Sequence, residues 1–178
     1  MYHLSQGNSS IDKVLKMASN NVLSKSKIVM VWGTFDALHK GHIEFLRHAK
    51  SLVGESGKLY VIVVPDNIVQ KNKGRFPYEN EAKRKSNLEK LDCVDKVFID
   101  SFEQNALVKI EKIRPDIFCF GYDQTTIWED KLVKYLMKMG ATTKVVRLRK
   151  YADGIHSSQI KTFLKTKINK KYMGYISR

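Results

Sequence analysis

The sequence has few cysteines, few prolines and no long hydrophobic run. Its two cysteines, Cys93 and Cys119, stand in no CxxC or Cys/His spacing, which argues against a zinc framework. Buried thiols and a disulfide or redox pair both stay open, although thiols used in this way suit a reducing compartment. No apolar run approaches the roughly 20 residues that span a bilayer, and the N-terminus shows no signal-peptide pattern. We therefore expect a cytoplasmic protein with no membrane partner.

Acidic residues are scarce relative to basic ones. The chain carries 32 Lys and Arg against 18 Asp and Glu, a formal net charge of +14. This excess favours anionic partners, which include nucleotides, polynucleotides, acidic metabolites and anionic membranes. Because 43% of the 178 residues are apolar and only three are proline, the composition is typical of a folded domain rather than a disordered chain.

Three segments are predicted along the chain. Residues 1–26 form an N-terminal helical extension, with apolar residues at helical spacing and a capping-box pair, Ser9 and Asp12. This extension packs on the domain or on a second subunit, or it is a frayed arm. Residues 27–170 form the main domain, and residues 171–178 form a basic C-terminal tail.

The main domain alternates short apolar runs with helical patterns. The runs KIVMVWG, KLYVIVV, DKVFI, IFCF and TKVVRLR suit strands buried on both faces of a parallel sheet. Helical spacing lies between them, while the polar stretch PDNIVQKNKGRFPYENE has no predicted element. This order predicts an α/β fold, a doubly wound, Rossmann-like five-stranded parallel sheet sandwiched by helices. Ligands of such sheets bind beyond the carboxyl ends of the strands, so we expect the loops after Trp32, Val64, Phe120 and Arg149 to converge.

The stretch VWGTFDALHKGH, residues 31–42, carries the densest chemistry. Gly33 lets the backbone turn sharply after a strand, and the helix that follows offers free N–H groups and the positive end of its dipole. With His39 and His42 added, the loop favours a polyphosphate ligand. A zinc site and a packing role are the alternatives. Helical zinc pairs usually stand at i, i+4 with a third ligand, whereas these histidines stand at i, i+3 with only Asp36 nearby.

These residues resemble a known family. GTFDALHKGH matches, at every fixed position, the GxFDxxHxGH signature of the cytidylyltransferase-like nucleotidyltransferases, which are related in fold to class I aminoacyl-tRNA synthetases (the HUP group). PDIFCFGYDQ resembles the strand ending in GYDQ or GDD that contacts the nucleotide. YADGIHSSQI resembles the ISTTKI signature that holds the outgoing phosphates, although His156 replaces a hydroxyl residue. An extra residue in the preceding turn leaves Arg149 or Lys150 in place of the expected arginine.

The resemblance implies roles for specific residues. Catalytic roles fall to His39, His42, Lys71, Lys73 and Arg84, of which the lysines and the arginine are expected to reach the triphosphate. Each of those three cations could instead be a solvated surface charge. The implied nucleotide contacts are Gly33, Thr34, Phe35, Asp36, His39, Lys40, Gly41, His42, Gly121, Tyr122, Asp123, Gln124, Ile155, His156, Ser157 and Ser158.

The resemblance also implies a reaction. It is the transfer of a nucleoside monophosphate from a nucleoside triphosphate to a phosphorylated acceptor, with release of pyrophosphate. Mg²⁺ would be carried by the nucleotide, with no ligand from protein side chains. Over residues 27–165 the likeness is strongest to the archaeal FAD synthases, which join AMP from ATP to FMN, because of GYDQTT and VVRLR. Relatives are commonly dimers, so a homodimer is expected.

Three other functions stay open. Glycerol-3-phosphate cytidylyltransferase, which uses CTP, and pantetheine-phosphate adenylyltransferase share the first signature. A basic nucleic-acid-binding protein is suggested by the net charge and by KTKINKK near the C-terminus. However, the sequence contains no helix-turn-helix, zinc finger or aromatic stacking motif, and a triphosphate site also needs cations.

Overall fold

The computed structural model describes residues 26–148. The predicted N-terminal extension, apart from its last residue, and the basic tail lie outside these residues, and so does the second signature with Ile155, His156, Ser157 and Ser158. The domain boundaries given above therefore stay predictions. No helix within residues 26–148 is long and apolar enough to cross a membrane.

The described part of the chain contains five strands and five helices, with two consecutive helices between the second and third strands. The strands are β1 (Ile28–Gly33), β2 (Lys58–Val63), β3 (Lys96–Ile99), β4 (Ile117–Phe120) and β5 (Lys144–Arg147). The helices are α1 (Lys40–Ser51), α2 (Asp66–Lys73), α3 (Glu81–Glu89), α4 (Ala106–Ile113) and α5 (Thr126–Lys138). The strands form one parallel sheet in the order β3-β2-β1-β4-β5. The predicted doubly wound α/β fold is confirmed.

Each face of the sheet is covered by its own set of helices. Strand residues of one parity, such as Val29 and Val31, pack with Leu46 of α1 and Leu88 of α3. Those of the other parity, such as Met30, pack with α2, α4 and α5. Because both faces are buried, the strands consist of continuous apolar runs rather than alternating ones. This burial explains why the strands could be read from the sequence.

Two details differ from the sequence prediction. Helix α2 lies within the polar stretch for which no element was predicted. The helix was missed because its two buried residues, Ile68 and Val69, are its only apolar ones. Helix α1 begins at Lys40 rather than after His42, so His42 lies in its first turn. The second difference places His42 at the N-terminal end of helix α1, where the backbone N–H groups have no partner within the helix.

The sheet order creates a crevice between β1 and β4. From β1 the chain proceeds to β2 on one side, and it later returns to β4 on the other side. Connections that depart in opposite directions leave a gap at the carboxyl ends of the two central strands, where ligands of such folds bind. The loops that follow Gly33 and Phe120 border this gap.

Candidate active site

A cavity of about 570 Å³ opens at the carboxyl ends of the central strands. Its wall includes Gly33 at the end of β1, Val64 after β2 and Gly121 after β4. Three of the four loops that were expected to converge therefore border one cavity, and the fourth, after Arg149, lies outside the described residues.

Most of the predicted site residues in the described part of the chain lie on this wall. They are Gly33, Thr34, Phe35, Asp36, His39, Gly41, His42, Lys73, Gly121, Tyr122, Asp123 and Gln124. Lys40, Lys71 and Arg84 are not on the wall. Lys40 is exposed, with its ammonium 3.6 Å from Glu44 one turn along α1.

The two histidines of the signature are stacked at the start of α1. Their ring centroids are 3.8 Å apart, with an angle of 24° between the planes. His39 precedes the helix with an extended backbone, φ −128°. Gly41 makes room for this arrangement, because a Cβ there would lie 3.2 Å from Cε1 and Nδ1 of His39. The glycine between the two histidines of the signature is therefore explained by the close approach of the His39 ring to Gly41.

His42 is neutral at physiological pH. Burial, and the neighbouring His39, lower its pKa from 6.5 to about 4. Its Nδ1 is buried and has no hydrogen-bond partner among residues 26–148. An orphaned buried N–H is rarer than an orphaned acceptor, so the favoured tautomer carries its proton on Nε2. A neutral ring in this tautomer has one N–H donor, at Nε2.

The start of α1 has unpaired backbone donors. Within the part of the chain that the structure describes, no side chain caps it, and its first turn contains no acidic residue. Gly41 and His42 in that turn line the cavity, and Lys73 reaches the same wall from α2, with Nζ 3.3 Å from Thr34 Oγ1. Free N–H groups at the positive end of a helix, beside a lysine, suit a phosphate group.

The loop between β1 and α1 has a strained backbone. Phe35 and Ala37 have φ values of 52° and 45°, a left-handed conformation that costs a non-glycine residue about 1–3 kcal/mol. The buried Phe35 ring lies edge-on to His42, with centroids 5.4 Å apart. The carboxylate of Asp36 accepts hydrogen bonds from the N–H groups of Tyr78 and Glu79. These contacts fix the loop in its strained form.

The pKa of Asp36 is lowered overall. Burial raises this pKa, but the hydrogen bonds from the two backbone N–H groups and the charges of Arg84 and Arg75 together lower it by more than burial raises it. Asp36 is therefore a carboxylate whose two oxygens are occupied by the α2–α3 loop, and it ties that loop to the signature.

Arg84 does not face the cavity, contrary to the expected triphosphate contact. Its side chain is fully buried. The guanidinium donates to the carbonyl oxygens of Thr34, Val64 and Glu79 at 2.5, 2.8 and 2.9 Å, and to Asp66 Oδ1 at 2.6 Å. These bonds connect the loops after β1 and β2 to α3, so the expected phosphate contact is revised to a positioning role.

Lys71 also points elsewhere. Its ammonium is 2.5 Å from Glu103 Oε2, on the loop after β3, and it is not part of the cavity wall. Of the two lysines proposed to reach the phosphates, the structure brings only Lys73 to the cavity. The two lysines are two positions apart on α2, which turns their side chains to different sides of the helix.

The sequence interpretation missed residues that hold the β4–α5 loop. Arg147 of β5 donates to the carbonyl oxygens of Gly121 and Gln124, both at 2.7 Å, and to Glu129. Gln124 donates to the carbonyl of Trp32 at 2.6 Å and accepts from the N–H of Gly121. A single arginine in the apolar run VVRL was the available signal. The amide of Gln124 therefore joins the β4–α5 loop to the end of strand β1.

The metal and disulfide alternatives find no support in the described part of the chain. Within residues 26–148, no group of three or more His, Cys, Asp and Glu side chains could hold a metal ion. Cys93 and Cys119 are both free thiols. Burial raises the pKa of Cys119 to about 12, so it remains protonated and unreactive.

Comparison with known proteins agrees with this site. Residues 30–163 match the family described as "Cytidylyltransferase-like". A FAD synthase of Korarchaeum cryptofilum is 38% identical over 146 residues, which cover 81% of this chain and 96% of the relative. A FAD synthase of Methanobrevibacter smithii is 38% identical over 141 residues, 79% of this chain and 91% of the relative.

A solved structure shares the fold. The crystal structure of the lipopolysaccharide core biosynthesis protein from Thermoplasma volcanium has a TM-score of 0.62 and 34% sequence identity, and covers 71% of this chain and 98% of that chain. The present chain therefore belongs to the cytidylyltransferase-like family and is an enzyme of the nucleotidyltransferase class. Within that family, the relatives just named from Korarchaeum and Methanobrevibacter are FAD synthases.

Proposed function

We propose that this enzyme transfers the adenylyl group of ATP to the phosphate of FMN, which forms FAD and releases pyrophosphate. The identity to FAD synthases along nearly their whole length supports this choice of substrates. The observation that carries the chemistry is the stacked pair of His39 and His42 at the uncapped start of α1, on the wall of the cavity.

The reaction needs positioning and charge stabilisation more than proton transfer. An oxygen of the acceptor phosphate attacks the α-phosphorus of ATP, and the bond from that phosphorus to the bridging oxygen breaks. Pyrophosphate leaves with the electron pair of that bond. Because the acceptor phosphate is already ionised at neutral pH, no side chain has to act as a general base.

The proposed roles of the side chains follow from their positions. Nε2–H of His42, together with His39, donates hydrogen bonds to oxygens around the α-phosphorus and to the bridging oxygen as negative charge develops there. The N–H groups at the start of α1 and the ammonium of Lys73 bind the neighbouring phosphates. Ser157 and Ser158, outside the described residues, remain proposed ligands of the outgoing pyrophosphate.

Mg²⁺ is proposed to arrive with the triphosphate. It would neutralise phosphate charge, and it tolerates waters and few protein ligands. Two carboxylates, Asp36 and Asp123, lie on the cavity wall. Both carboxylate oxygens of Asp36 already accept hydrogen bonds from backbone N–H groups. This donor set fits an ion held mainly by phosphate oxygens rather than by a cage of side chains.

Location and assembly are part of the same proposal. The free thiols of Cys93 and Cys119 support a reducing compartment such as the cytoplasm. A homodimer remains the expected assembly, and light scattering of the eluted protein would measure its mass.

The substrate choice is tested by a matrix of pyrophosphate-release assays. ATP and CTP are each combined with FMN, glycerol 3-phosphate and 4′-phosphopantetheine. The proposal expects release with ATP and FMN alone. Release with CTP and glycerol 3-phosphate would replace it with the cytidylyltransferase alternative. Retention of random DNA that weakens steeply with salt, without release from either nucleotide, would favour the nucleic-acid-binding alternative.

A further inference from the structure

The cavity has two chemically different halves. The half beside α1 contains the histidines and the rings of Phe35 and Phe45, which belong to the core on that face of the sheet. The other half is an aromatic recess, formed by Trp32, Val64, Val69 and Trp128 on the opposite face. None of these four residues has a role in the phosphate chemistry proposed above.

The rings of the aromatic recess pack against one another. The rings of Trp32 and Trp128 meet edge to face, with centroids 5.8 Å apart. Phe102, from the loop after β3, lies edge-on to Trp32 at 5.0 Å and parallel to Trp128 at 5.6 Å. Three rings from β1, α5 and the β3–α4 loop thus hold one another in place. A preformed aromatic wall binds a flat ligand with little loss of conformational entropy.

The recess also contains an unsatisfied donor. Trp32 is 8% exposed, and its indole N–H has no acceptor among residues 26–148. Because this N–H group is itself closed to solvent, a ligand in the recess would gain affinity from the faces and edges of the rings rather than from this donor. A flat ring system suits such a wall.

We propose that the aromatic recess binds the isoalloxazine ring of FMN, and that Trp32 and Trp128 thereby select the acceptor. This inference rests on the proposed function. Attack in line requires the acceptor to approach the α-phosphorus from the side opposite to the departing pyrophosphate. Adenine, the other flat ring in the reaction, is tested against flavin by the kinetics below. The phosphates of ATP are assigned to the α1 half, so the acceptor is assigned to the recess.

The test uses steady-state kinetics of two variants at Trp128, which is only partly buried and therefore tolerates replacement better than Trp32. Trp128→Leu keeps apolar volume without a ring, and Trp128→Phe keeps a ring. We expect Trp128→Leu to raise the KM for FMN by about tenfold, the order of magnitude of one aromatic contact, with the KM for ATP unchanged. Trp128→Phe should recover most of the affinity. Phe76→Leu, at an exposed ring outside the cavity wall, is the matched control and should change neither constant.

A second measurement needs no turnover. Binding of FMN or riboflavin next to indole rings should quench flavin fluorescence, and Trp128→Leu should weaken both titrations in the absence of ATP. A raised KM for ATP with an unchanged KM for FMN would assign adenine to the recess and overturn the inference. Equal flavin affinity in wild type and in Trp128→Leu, with both proteins folded by circular dichroism, would overturn it as well. If wild-type protein binds flavin in this way but makes no FAD, the proposed function and the selection of the acceptor fail, while the flavin site itself stands.

Discussion

At the scale of single residues, His42 is distinguished by its charge state and by its one free donor. A surface histidine is partly protonated near neutral pH, whereas burial and the stacked His39 keep His42 neutral down to a pKa of about 4. Nδ1 of His42 has no hydrogen-bond partner among residues 26–148, so we expect the neutral ring to carry its proton on Nε2. A fixed donor that needs no reorientation stabilises developing negative charge more effectively than a mobile cation does.

Removal of this donor should affect the reaction far more than the fold. His42→Ala is expected to lower kcat by about 10²–10³, the usual effect of losing a single transition-state hydrogen bond. Steady-state kinetics and a thermal melt measure the two effects. His48→Ala, on the same helix but not on the cavity wall, serves as the control and should keep the wild-type kcat. Full activity in His42→Ala would contradict the assignment.

The charge state of His42 gives a separate prediction about pH. Its imidazole should titrate near pH 4 in an NMR experiment on the folded protein, whereas the unfolded chain titrates near 6.5. Because the unfolded state binds more protons between these values, His42 should make the protein less stable as pH falls from about 6.5 to about 4. Above 6.5 it should contribute no pH dependence. An NMR midpoint near 6.5 in the folded protein would disprove the neutral state of His42.

At the scale of elements, the active-site loops are held by buried hydrogen bonds rather than by their own backbone preference. The β1–α1 loop has two non-glycine residues with positive φ, so it needs outside support. Arg84 of α3 supplies part of this support, because one guanidinium bonds to the loops after β1 and β2 at once. Arg147 of β5 supports the loop after β4 in the same way.

Replacement of Arg84 should therefore destabilise the fold. Arg84→Met leaves three carbonyl oxygens without their donor and the carboxylate of Asp66 without its cationic partner, so we expect a loss of about 3–5 kcal/mol in the free energy of unfolding. Urea titration measures it. Lys85→Met is the matched control on the next residue, because its partly exposed pair with Glu89 contributes at most about 0.5 kcal/mol. Equal stability of the two variants would contradict the proposed support.

The same elements show what the sequence could and could not predict. The strands were readable because burial on both faces requires continuous apolar runs, and the glycine turn and helix start placed His39 and His42 correctly on the cavity wall. Helix α2 was missed because only two of its residues are apolar. The direction of Arg84 was also hidden, since a basic residue in a polar helix has the same pattern whether it faces solvent or a set of buried carbonyls.

At the scale of the whole molecule, the sheet places two unlike surfaces on either side of one crevice. The loop after β1 and the start of α1 carry the proposed phosphate-binding groups, and the opposite face provides the aromatic recess. The net charge of +14 favours anionic substrates on both sides, since ATP and FMN each carry phosphate. These surfaces could not be assigned from sequence, because Trp32 and Trp128 in apolar patterns are more often packing residues.

The most direct test of the central claim is a parallel measurement of FAD and pyrophosphate formed from ATP and FMN. FAD is quantified by chromatography and pyrophosphate by an enzyme-coupled assay, in wild type and in His42→Ala. The account predicts equal amounts of both products in wild type, and a rate lower by about 10²–10³ in the variant. Pyrophosphate release without FAD, or equal rates in the two proteins, would contradict it.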